Sequence, residues 1–431
     1  MPFEIAPVAP KRIAVIGGGI AGMGAAHLLS RDHQVTLFEA EPRLGGHART
    51  VLAGKRGDQP VDTGFIVYNE INYPHLVKLF ADLDVPVVKS DMSFGASIGG
   101  GKLEYALASY DAIFAQRKNI ADPRFLKMLR DIMRFNAKAP SLAESSDVSI
   151  GDFLAVLGTG KWFRDHYLLP LTGAIWSTPL ERMLDFPAQA LVRFLKNHGL
   201  TGYYDQHQWY TVKGGSEQYV QRLAARLTSN GVDIRLGAPV QGVSRELLGV
   251  QVTPVGGVAE QFDEVVFASH SDQSLAMLSD ASPEEQAALG AVRYQPNTAV
   301  LHADASLMPK RKKVWASWTY CEDKQGARNE IDLTYWMNSL QPIPQDDQMF
   351  VTLNSTRSIR EDLIYDTKLF MHPVFDIAAL KAQKQIAAMN GTNRTWFCGA
   401  WMKNGFHEDG LSSAVDVADA ILNGNLGQVA A

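Results

Sequence analysis

Short apolar runs and helical periodicity alternate at the start of the chain. The run from Ile13 to Ile16 predicts a buried strand, and the residues from Ala21 to Ser30 predict a helix. The stretch QVTLFEA then predicts a second strand that ends at Glu39. Strand, helix and strand in this order are typical of an open parallel sheet, so we expect an α/β fold.

Two later segments continue this pattern. Lys213 to Ser216 open a helical periodicity that Gly231 ends, and a strand through Val240 follows. The stretch FDEVVFASHSDQSLAML predicts a buried strand that leads into a loop. The stretch RTWFCGAWMKNGFHEDGLSSAVDVADAIL predicts a strand, a loop and a helix.

The residues between these segments show other patterns. Residues 98–204 are predicted to be helical, from runs such as FLKMLRDIMRF. Residues 276–389 are predicted to form a mixed sheet, because four stretches have β-type composition: TAVLHAD, KVWASWTY, IDLTYWMN and MFVTLN.

Composition narrows the class of protein. The 431 residues are 46% hydrophobic and carry a formal net charge of −5, which argues against a nucleic-acid partner. The two cysteines, Cys321 and Cys398, favour a reducing compartment over a disulfide framework. The first residues lack the apolar run of a secretory signal, and no stretch reaches the roughly 18 apolar residues of a membrane span. We predict a cytoplasmic protein, and contact with a membrane surface stays open.

A glycine-rich turn joins the first predicted strand to the first helix. Its G-x-G-x-x-G pattern lets the backbone approach a diphosphate at the helix N-terminus. Glu39 lies 39 − 17 = 22 residues after Gly17, close to the spacing for a carboxylate that binds ribose. We therefore predict a dinucleotide site whose first contacts are Gly17, Gly19, Ile20, Ala21, Gly22, Glu39 and Ala40.

The next segment, EPRLGGHART, resembles the second fingerprint of the glutathione-reductase-like flavoproteins, in the branch of amine oxidases, phytoene desaturases and protoporphyrinogen oxidases. That pattern is R-x-G-G-R, and Arg43, Gly45 and Gly46 match it. The resemblance implies FAD rather than NAD as the cofactor. His47 stands where the last arginine usually lies and Arg49 follows two residues later, so either side chain is a candidate for the cofactor.

Three other segments resemble flavin-contacting parts of the same branch. VDTGFIVYN resembles the segment that lines the flavin, and the strand through Val240 resembles the one whose backbone meets the adenine. The C-terminal stretch resembles the fingerprint whose helix points at the flavin. The resemblance implies further FAD contacts at Thr63, Gly64, Phe65, Ile66, Val240, Gly399, Phe406, His407, Glu408, Asp409, Gly410, Leu411 and Ser412.

These matches imply a glutathione-reductase-like FAD-binding Rossmann domain with an inserted substrate domain, which is an amine-oxidase-like architecture. We predict that residues 1–97, 205–275 and 390–431 form the discontinuous FAD-binding domain. Residues 98–204 and 276–389 are predicted to form the substrate domain, a helical part plus a mixed sheet whose inner face covers the flavin.

The chain as a whole resembles a bacterial family of NAD/FAD-binding proteins that are related to the N-terminal oxidoreductase domain of plant cyclopropane-fatty-acid synthases. The resemblance rests on GFIVYNEINYPHLVKLFADLDVPVVKSDMSF, LTGAIWSTP, FPAQALVRFLKNHGL, YQPNTAVLHAD, TYWMNSLQ and GAWMKNGFHEDGLSSAVDVADAI. It implies a lipidic, fatty-acyl substrate of a methyl-branched or cyclopropane-related kind, and a lipid methyltransferase as a partner.

One stretch departs from the flavin amine oxidases. Their segment reads roughly Y-x-P-x-T-K-V, and its lysine reaches flavin N5 through water. Here YQPNTAV matches at Tyr294, Pro296, Thr298 and Val300, but Ala299 replaces the lysine. This replacement argues against an amine oxidase.

Three side chains are candidates for catalysis. His302 alternates with apolar residues in AVLHAD, which fits either a core histidine or a base near the flavin. Tyr68 follows the flavin-lining segment, and His407 lies in GFHEDGLSS. Aromatic residues expected around the pocket are Trp176, Tyr203, Tyr204, Trp209, Tyr210, Trp315, Trp318, Tyr320, Tyr335 and Trp336.

The stretch GFHEDGLSS has two interpretations, a metal or acid/base centre and a flavin cradle. Adjacent side chains diverge and no further ligands lie at zinc spacing, so we predict no metal. Asp409 is predicted to cap a helix that begins at Gly410. The N–H groups of Gly410, Leu411 and Ser412 would then face the flavin and stabilise the negative charge of its reduced form.

The stretch DPRFLKMLRDIMRFNAKAP predicts a helix capped by Asp122, with Pro123 in its first turn. Its basic face fits either a solvated helix of the substrate domain or peripheral contact with an anionic membrane. The face consists of Arg124, Lys127, Arg130, Arg134 and Lys138, against the single acid Asp131.

We predict an FAD-dependent oxidoreductase that dehydrogenates or desaturates a lipidic substrate by hydride transfer to flavin. Two alternatives stay open. One is a flavin oxidase of a small amine or aromatic compound, and the other is a flavin-binding accessory protein of a lipid methyltransferase.

Overall fold

Strands and helices alternate through the computed structural model, which describes residues 9–143, 148–176, 180–200, 207–322 and 332–424. The strands in these residues are β1 (Arg12–Ile16), β2 (Gln34–Phe38), β3 (Thr50–Ala53), β4 (Gln59–Asp62), β5 (Tyr68–Asn69), β6 (Val87–Ser90), β7 (Phe94–Ile98), β8 (Leu103–Ala106), β9 (Trp209–Val212), β10 (Asp233–Arg235), β11 (Val240–Glu246), β12 (Gly249–Pro254), β13 (Glu260–Phe262), β14 (Glu264–Phe267), β15 (Arg293–His302), β16 (Trp318–Cys321), β17 (Asp332–Trp336), β18 (Phe350–Leu353), β19 (Ile364–Val374) and β20 (Thr395–Phe397).

The helices of the same residues are α1 (Ile20–Leu29), α2 (Pro74–Asp82), α3 (Tyr110–Ile113), α4 (Pro123–Ala143), α5 (Ile150–Leu157), α6 (Lys161–Phe163), α7 (Leu169–Trp176), α8 (Ala188–Asn197), α9 (Glu217–Ser229), α10 (Ser271–Met277), α11 (Pro283–Ala291), α12 (Met337–Leu340), α13 (Ile377–Met389) and α14 (His407–Leu422). The stretch after β14, which was predicted as a loop, therefore contains α10.

A five-stranded parallel sheet has the order β10-β2-β1-β14-β20. Its central strand β1 is buried from Ile13 to Ile16, which is typical of a strand covered by helices on both faces. Helices α1 and α14 pack closely against each other, since a Cβ added at Gly24 would lie 2.6 Å from the Leu411 side chain. The predicted α/β fold is confirmed.

A seven-stranded mixed sheet has the order β19-β15-β18-β17-β16-β7-β8. Only the β16–β7 pair is parallel among its described strands. The sequence did not predict β19, which is its longest strand. The predicted domain boundary at residue 97 falls inside β7, a strand of this sheet. The division of the chain into two domains stays a prediction.

Helices α4 to α8 cover one face of this sheet and form the largest apolar core with it. Helix α4 buries Phe125, Met128, Ile132 and Phe135 at helical spacing. The strands bury Ala299 and Leu301 of β15 and their neighbours against the same core. We call this side of the sheet the inner face.

The basic side chains of α4 are partly engaged with their surroundings. Lys127 Nζ lies 2.8 Å from Asp131 Oδ2, and Arg134 Nη1 donates to the carbonyl of Gly158 at 3.1 Å. Leu126 and Met133 are exposed among them. In the part of the chain that the structure describes, no helix is both long and apolar enough to cross a membrane.

A buried carboxylate at the end of β4 links the β3–β4 pair to the residues that precede α9 and follow α12. Asp62 accepts hydrogen bonds from Thr50 Oγ1 at 2.6 Å, from the N–H and hydroxyl of Ser216, and from Gln341 Nε2 at 2.8 Å. Burial raises the pKa of Asp62 to about 6, although these donors oppose the shift.

Candidate active site

The first glycine turn lies between β1 and α1, as predicted. Only glycine fits at position 22, because a Cβ there would lie 1.8 Å from the carbonyl oxygen of Gly17. Gly19 is the N-cap of α1 and supplies no side-chain cap. The N–H groups of the first turn at Ile20, Ala21 and Gly22 are therefore available to an anion such as a diphosphate.

Glu39 lies beside this turn. Its Oε2 accepts the backbone N–H of Gly18 at 2.5 Å. Ala40 is exposed next to it, and the N–H of Ala238 donates to the Glu39 carbonyl at 2.9 Å. The chain thus brings Val240, two residues further on, to the same end of the sheet, where the ribose and adenine were predicted.

The second glycine motif packs directly against the first. Gly45 N–H donates to the Gly18 carbonyl at 2.8 Å. Gly46 has φ of +56°, and a Cβ on it would lie 3.1 Å from Gly19 Cα. The turn is held by the Arg43 guanidinium, which donates to the backbone carbonyls of Leu44, Gly46 and Ala48. This close backbone approach fits the cradle of a cofactor diphosphate.

Arg49 and His47 differ in their partners. The Arg49 guanidinium makes a two-point ion pair with Asp366 of β19, at 2.6 and 3.0 Å. The His47 ring lies 4.9 Å from the Phe370 ring and 5.5 Å from the His372 ring, between centroids. The Arg49 guanidinium is thus engaged by Asp366, and the choice between His47 and Arg49 for the cofactor stays a prediction.

The segment predicted to line the flavin runs beside the second motif. Thr63 N–H donates to the Arg49 carbonyl, and Phe65 N–H donates to the His47 carbonyl, both at 3.0 Å. A Cβ on Gly64 would lie 2.0 Å from the His47 carbonyl oxygen, so glycine is required there. Ile66 follows, half-buried against the apolar core.

His407 lies behind this segment. Its ring stacks on Phe65 with 3.9 Å between centroids, and its Nε2 is 2.6 Å from the hydroxyl oxygen of Tyr219. Burial lowers the pKa of His407 to about 3, so the imidazole is neutral at pH 7. These contacts make His407 a support for Phe65.

Helix α14 begins one turn earlier than predicted. Its N-cap is Phe406, and Asp409 is the third helical residue, whose carboxylate accepts the Phe406 N–H at 2.9 Å. Gly410 N–H donates to the Phe406 carbonyl at 3.1 Å, so it and the N–H groups of Leu411 and Ser412 lie within the helix. The Gly410 N–H is therefore not free to face the flavin as predicted, and the N–H groups of the first turn of α14 are those of residues 407–409.

Glu408 does not face the cofactor. Its two carboxylate oxygens accept the backbone N–H groups of His75 and Leu76, each at 2.9 Å. It thereby caps the N-terminus of α2, and the predicted flavin contact was wrong. Burial raises the pKa of Glu408 to about 7.

Gly399 marks the turn after β20. Its φ of +151° lies at the edge of the region that favours glycine, and a Cβ there would lie 2.5 Å from Trp401 Nε1. Its N–H donates to Ser413 Oγ of α14 at 2.8 Å, which fixes the helix against the strand.

His302 is a core histidine, not a base. Its Nδ1 accepts the N–H of Asp304, so its Nε2 donates to Thr352 Oγ1 at 2.7 Å. Thr352 also bonds Thr334, and both alternate along their strands with residues of the inner face. His302 therefore lies on the opposite face of the sheet with both nitrogens engaged.

Tyr68 is also placed in a core. Its ring packs among Tyr73, Phe80 and Tyr210 at 5.3 to 6.2 Å between centroids, and its side chain is buried. Burial raises the pKa of Tyr68 to about 12, which disfavours a role as base.

Sequence reasoning missed His198, at the end of α8. Its Nδ1 lies 3.0 Å from the Phe194 carbonyl, which can only accept, so Nδ1 carries the proton. Its ring lies 5.7 Å from Phe406 and 6.5 Å from Trp209 between centroids. Burial lowers the pKa of His198 to about 4, so Nε2 offers a lone pair at neutral pH.

Phe406 packs against the end of α8, since its ring lies 4.9 Å from the Phe194 ring and 5.7 Å from the His198 ring between centroids. Half-buried apolar side chains from both the sheet and the helices pack against the large core, among them Ile66, Val67, Phe186, Leu200, Trp318, Tyr335 and Phe406. The inner face of β15 carries Asn297, Ala299 and Leu301, and Ala299 pairs with Lys368 of the neighbouring strand β19.

The other predicted aromatic residues lie in different parts of the structure. Tyr320 is buried on the inner face, while Trp209 and Tyr210 lie on β9. Trp315 and Trp336 contact each other edge to face, beside Phe350 and His302, and so lie on the opposite face of the sheet. Tyr203, Tyr204 and the Trp176 side chain lie outside the described residues.

No group of three or more metal-binding side chains occurs among the residues that the structure describes.

A parallel sheet with two apposed glycine turns at an uncapped helix defines the class of dinucleotide-binding flavoproteins. A model of the family described as flavin containing amine oxidoreductase matches residues 20–306. The chain belongs to this family, and it is an FAD-dependent oxidoreductase.

Curated relatives and solved structures agree with this family. The chain is 38% identical over 111 residues to the carotenoid phi-ring synthase of Chlorobaculum tepidum, which is 25% of this chain and 15% of that one. It is 25% identical over 325 residues to human protoporphyrinogen oxidase, 65% of this chain and 63% of that one. These matches span less than two thirds of each relative.

A crystal structure of a CLA-producing fatty acid isomerase from P. acnes superposes with a TM-score of 0.69 at 14% identity, covering 96% of this chain and 99% of that one. A putrescine oxidase mutant superposes with a TM-score of 0.69 at 16% identity, covering 97% of this chain and 100% of that one. Both likenesses show the amine-oxidase-like fold alone.

Proposed function

We propose that the enzyme dehydrogenates or desaturates a lipidic, fatty-acyl substrate. The observation that carries this proposal is Ala299, which lies on the inner face of β15 where flavin amine oxidases carry a lysine, and packs in the large apolar core. Apolar surroundings favour an uncharged chain over a protonated amine, because an ammonium would lose its hydration without gaining a partner. When bound in the cradle formed by the two glycine turns, FAD would supply the hydride acceptor.

His198 receives the proton in this proposal. Loss of a hydride from one carbon and of a proton from its neighbour leaves a carbon–carbon double bond. The His198 Nε2 lone pair is the acceptor, since Nδ1–H is held by the Phe194 carbonyl. Phe194 stacks on Phe406 with 4.9 Å between centroids, which positions the end of α8 at the flavin-binding loop.

Names among the similar proteins are in keeping with an apolar substrate, since they include a fatty acid isomerase and a carotenoid phi-ring synthase. The resemblance to the oxidoreductase domain of plant cyclopropane-fatty-acid synthases supports a methyl-branched or cyclopropane-related acyl chain and a lipid methyltransferase partner.

We also propose a cytoplasmic protein that contacts anionic membranes through α4. Leu126 and Met133 are exposed on this helix beside Arg130, which suits shallow insertion next to acidic headgroups. Co-sedimentation with anionic vesicles at low salt tests this contact, and absence of binding would contradict it.

The central experiment is anaerobic bleaching of the flavin. We expect bleaching by an acyl-lipid extract and none by amines, followed by a new double bond in the recovered lipid. Bleaching by amines alone would favour the amine oxidase. If neither the lipid extract nor amines bleach the flavin, in a protein that binds FAD, the alternative of a flavin-binding accessory protein is favoured.

A further inference from the structure

The residue after the double glycine lies beside the diphosphate cradle. Gly46 packs on Gly19 at the N-terminus of α1, and His47 follows it directly. Strand β19 runs along the same segment and faces it with Asp366, Lys368, Phe370 and His372. The charges of residues 41–49 and of β19 therefore surround any anion bound there.

Every permanent cation of these two segments already has a partner. Arg49 is paired with Asp366, and Lys368 Nζ donates to Glu41 at 2.8 Å. Arg43 lies 3.3 Å from the Glu41 carboxylate and uses its guanidinium on backbone carbonyls. A diphosphate with two negative charges would thus meet a site whose arginines and lysine are engaged.

Three neutral histidines, His47, His270 and His372, lie together beside these engaged cations. The His47 ring lies 5.5 Å from His372 and 6.2 Å from His270 between centroids. Asn297 Nδ2 lies 2.9 Å from His372 Nδ1 and Asn297 Oδ1 accepts from Asn354, so His372 presents Nε2–H. Burial lowers the pKa of all three imidazoles, for His372 to about 4.

Groups on each neighbouring element affect the pKa of His47. His372 comes from β19, His270 from the loop after β14, and His407 from α14, and like-charge repulsion from each opposes protonation of His47. Arg43 acts in the same direction, while Asp272 favours protonation of His270. An anion next to this cluster raises the pKa of the histidines, because it stabilises one imidazolium.

We propose that His47, with His270 and His372, supplies the charge that balances the FAD diphosphate by taking up a proton when FAD binds. One proton is shared by the cluster, since two imidazolium rings at these distances repel each other. FAD binding is therefore coupled to pH in this chain, whereas an arginine at position 47 would carry its charge at all times.

The test is titration calorimetry of FAD into the deflavinated protein at pH 7, in phosphate and in Tris. The binding enthalpies should differ by an amount that corresponds to uptake approaching one proton per FAD. The Kd should rise with pH between 6 and 8, by up to about tenfold per pH unit for one proton.

The matched variant is His47→Arg, which should bind FAD without proton uptake and with a Kd that does not change over this range. His207→Gln, on a side chain that bonds the Asn197 carbonyl, is the control and should keep the wild-type uptake. Equal enthalpies in the two buffers for the wild type would overturn the proposal. So would full uptake in His47→Arg, which would place the proton elsewhere, for example on Glu408.

Circular dichroism of each deflavinated variant separates a folding defect from a binding effect. If His47→Arg did not fold, His47→Gln would take its place; it should take up clearly less than the wild type, and uptake equal to that of the wild type would overturn the proposal.

Discussion

Arg49 and Asp366 are 317 residues apart in the chain, yet their side chains meet at two points, 2.6 and 3.0 Å. The pair joins the second FAD motif to β19 of the large sheet. Both side chains are only about one fifth exposed, so water screens the pair less than a surface ion pair.

Asp366→Asn should therefore destabilise the protein. The variant loses the charge of one partner and leaves the Arg49 guanidinium without an anion, which costs on the order of 1–3 kcal/mol in the free energy of unfolding. Urea unfolding measures this change. Asp58→Asn, at the exposed pair with Arg56, is the control and should leave stability unchanged within error.

Gly46→Ala should weaken FAD binding. Its φ is +56° and its Cβ would press on Gly19 Cα at 3.1 Å, so the two glycine turns would move apart. We expect at least about a tenfold rise in the Kd for FAD, as 1.4 kcal/mol of strain would give. Gly57→Ala has a similar φ of +72° but meets nothing within 4 Å, so it should lose some stability and keep its affinity. Equal affinity in the two variants would contradict the cradle.

Asp62 should make stability depend on pH. Its folded pKa of about 6 lies above the unfolded value of roughly 3.9, so its contribution is greatest below the unfolded pKa and is lost as pH rises through about 6. Asp62→Asn removes this titration but turns an amide N–H₂ towards the donors of Ser216 and Gln341. The variant should be less stable, and its deficit should shrink between pH 4 and 7. A deficit that grew over this range would show that Asp62 stays ionised in the fold.

His198→Ala should abolish most turnover and retain FAD. Loss of a positioned base typically lowers kcat by about 10²- to 10⁴-fold. The pKa of His198 near 4 predicts a wild-type rate that is flat at neutral pH and falls as the imidazole protonates in acid. His207→Ala tests a histidine that bonds the same helix end through Asn197 and should keep its activity. Full turnover in His198→Ala would exclude it as the base.

The parts of the site that depend on short segments were predicted from the sequence. The glycine turn, Glu39 and the double glycine each occupy a local pattern whose geometry allows few alternatives, and the structure places them together. The same holds for α9, which ends before Gly231 as its periodicity and C-cap predicted.

Features that depend on distant partners were missed or wrong. The local sequence predicts Glu408 as an acid of the site. In the structure its carboxylate instead accepts a backbone N–H of α2, from a residue 332 positions away in the chain. Alternation in AVLHAD predicts that His302 lies on one face of a strand. It does not determine which face of the sheet points towards the FAD-binding residues. The start of α14 also depends on Asp409 folding back onto the Phe406 N–H, which shifts the helix by one turn.

The late position of β19 and α14 in the chain bears on biosynthesis. The glycine turns emerge from the ribosome more than 300 residues before β19 (Ile364–Val374) and the first turn of α14, which complete their surroundings. A nascent chain that stops before them has the two turns without the wall that encloses them. Retention of FAD is thus expected to distinguish copies that include β19 and α14 from copies that stop before them.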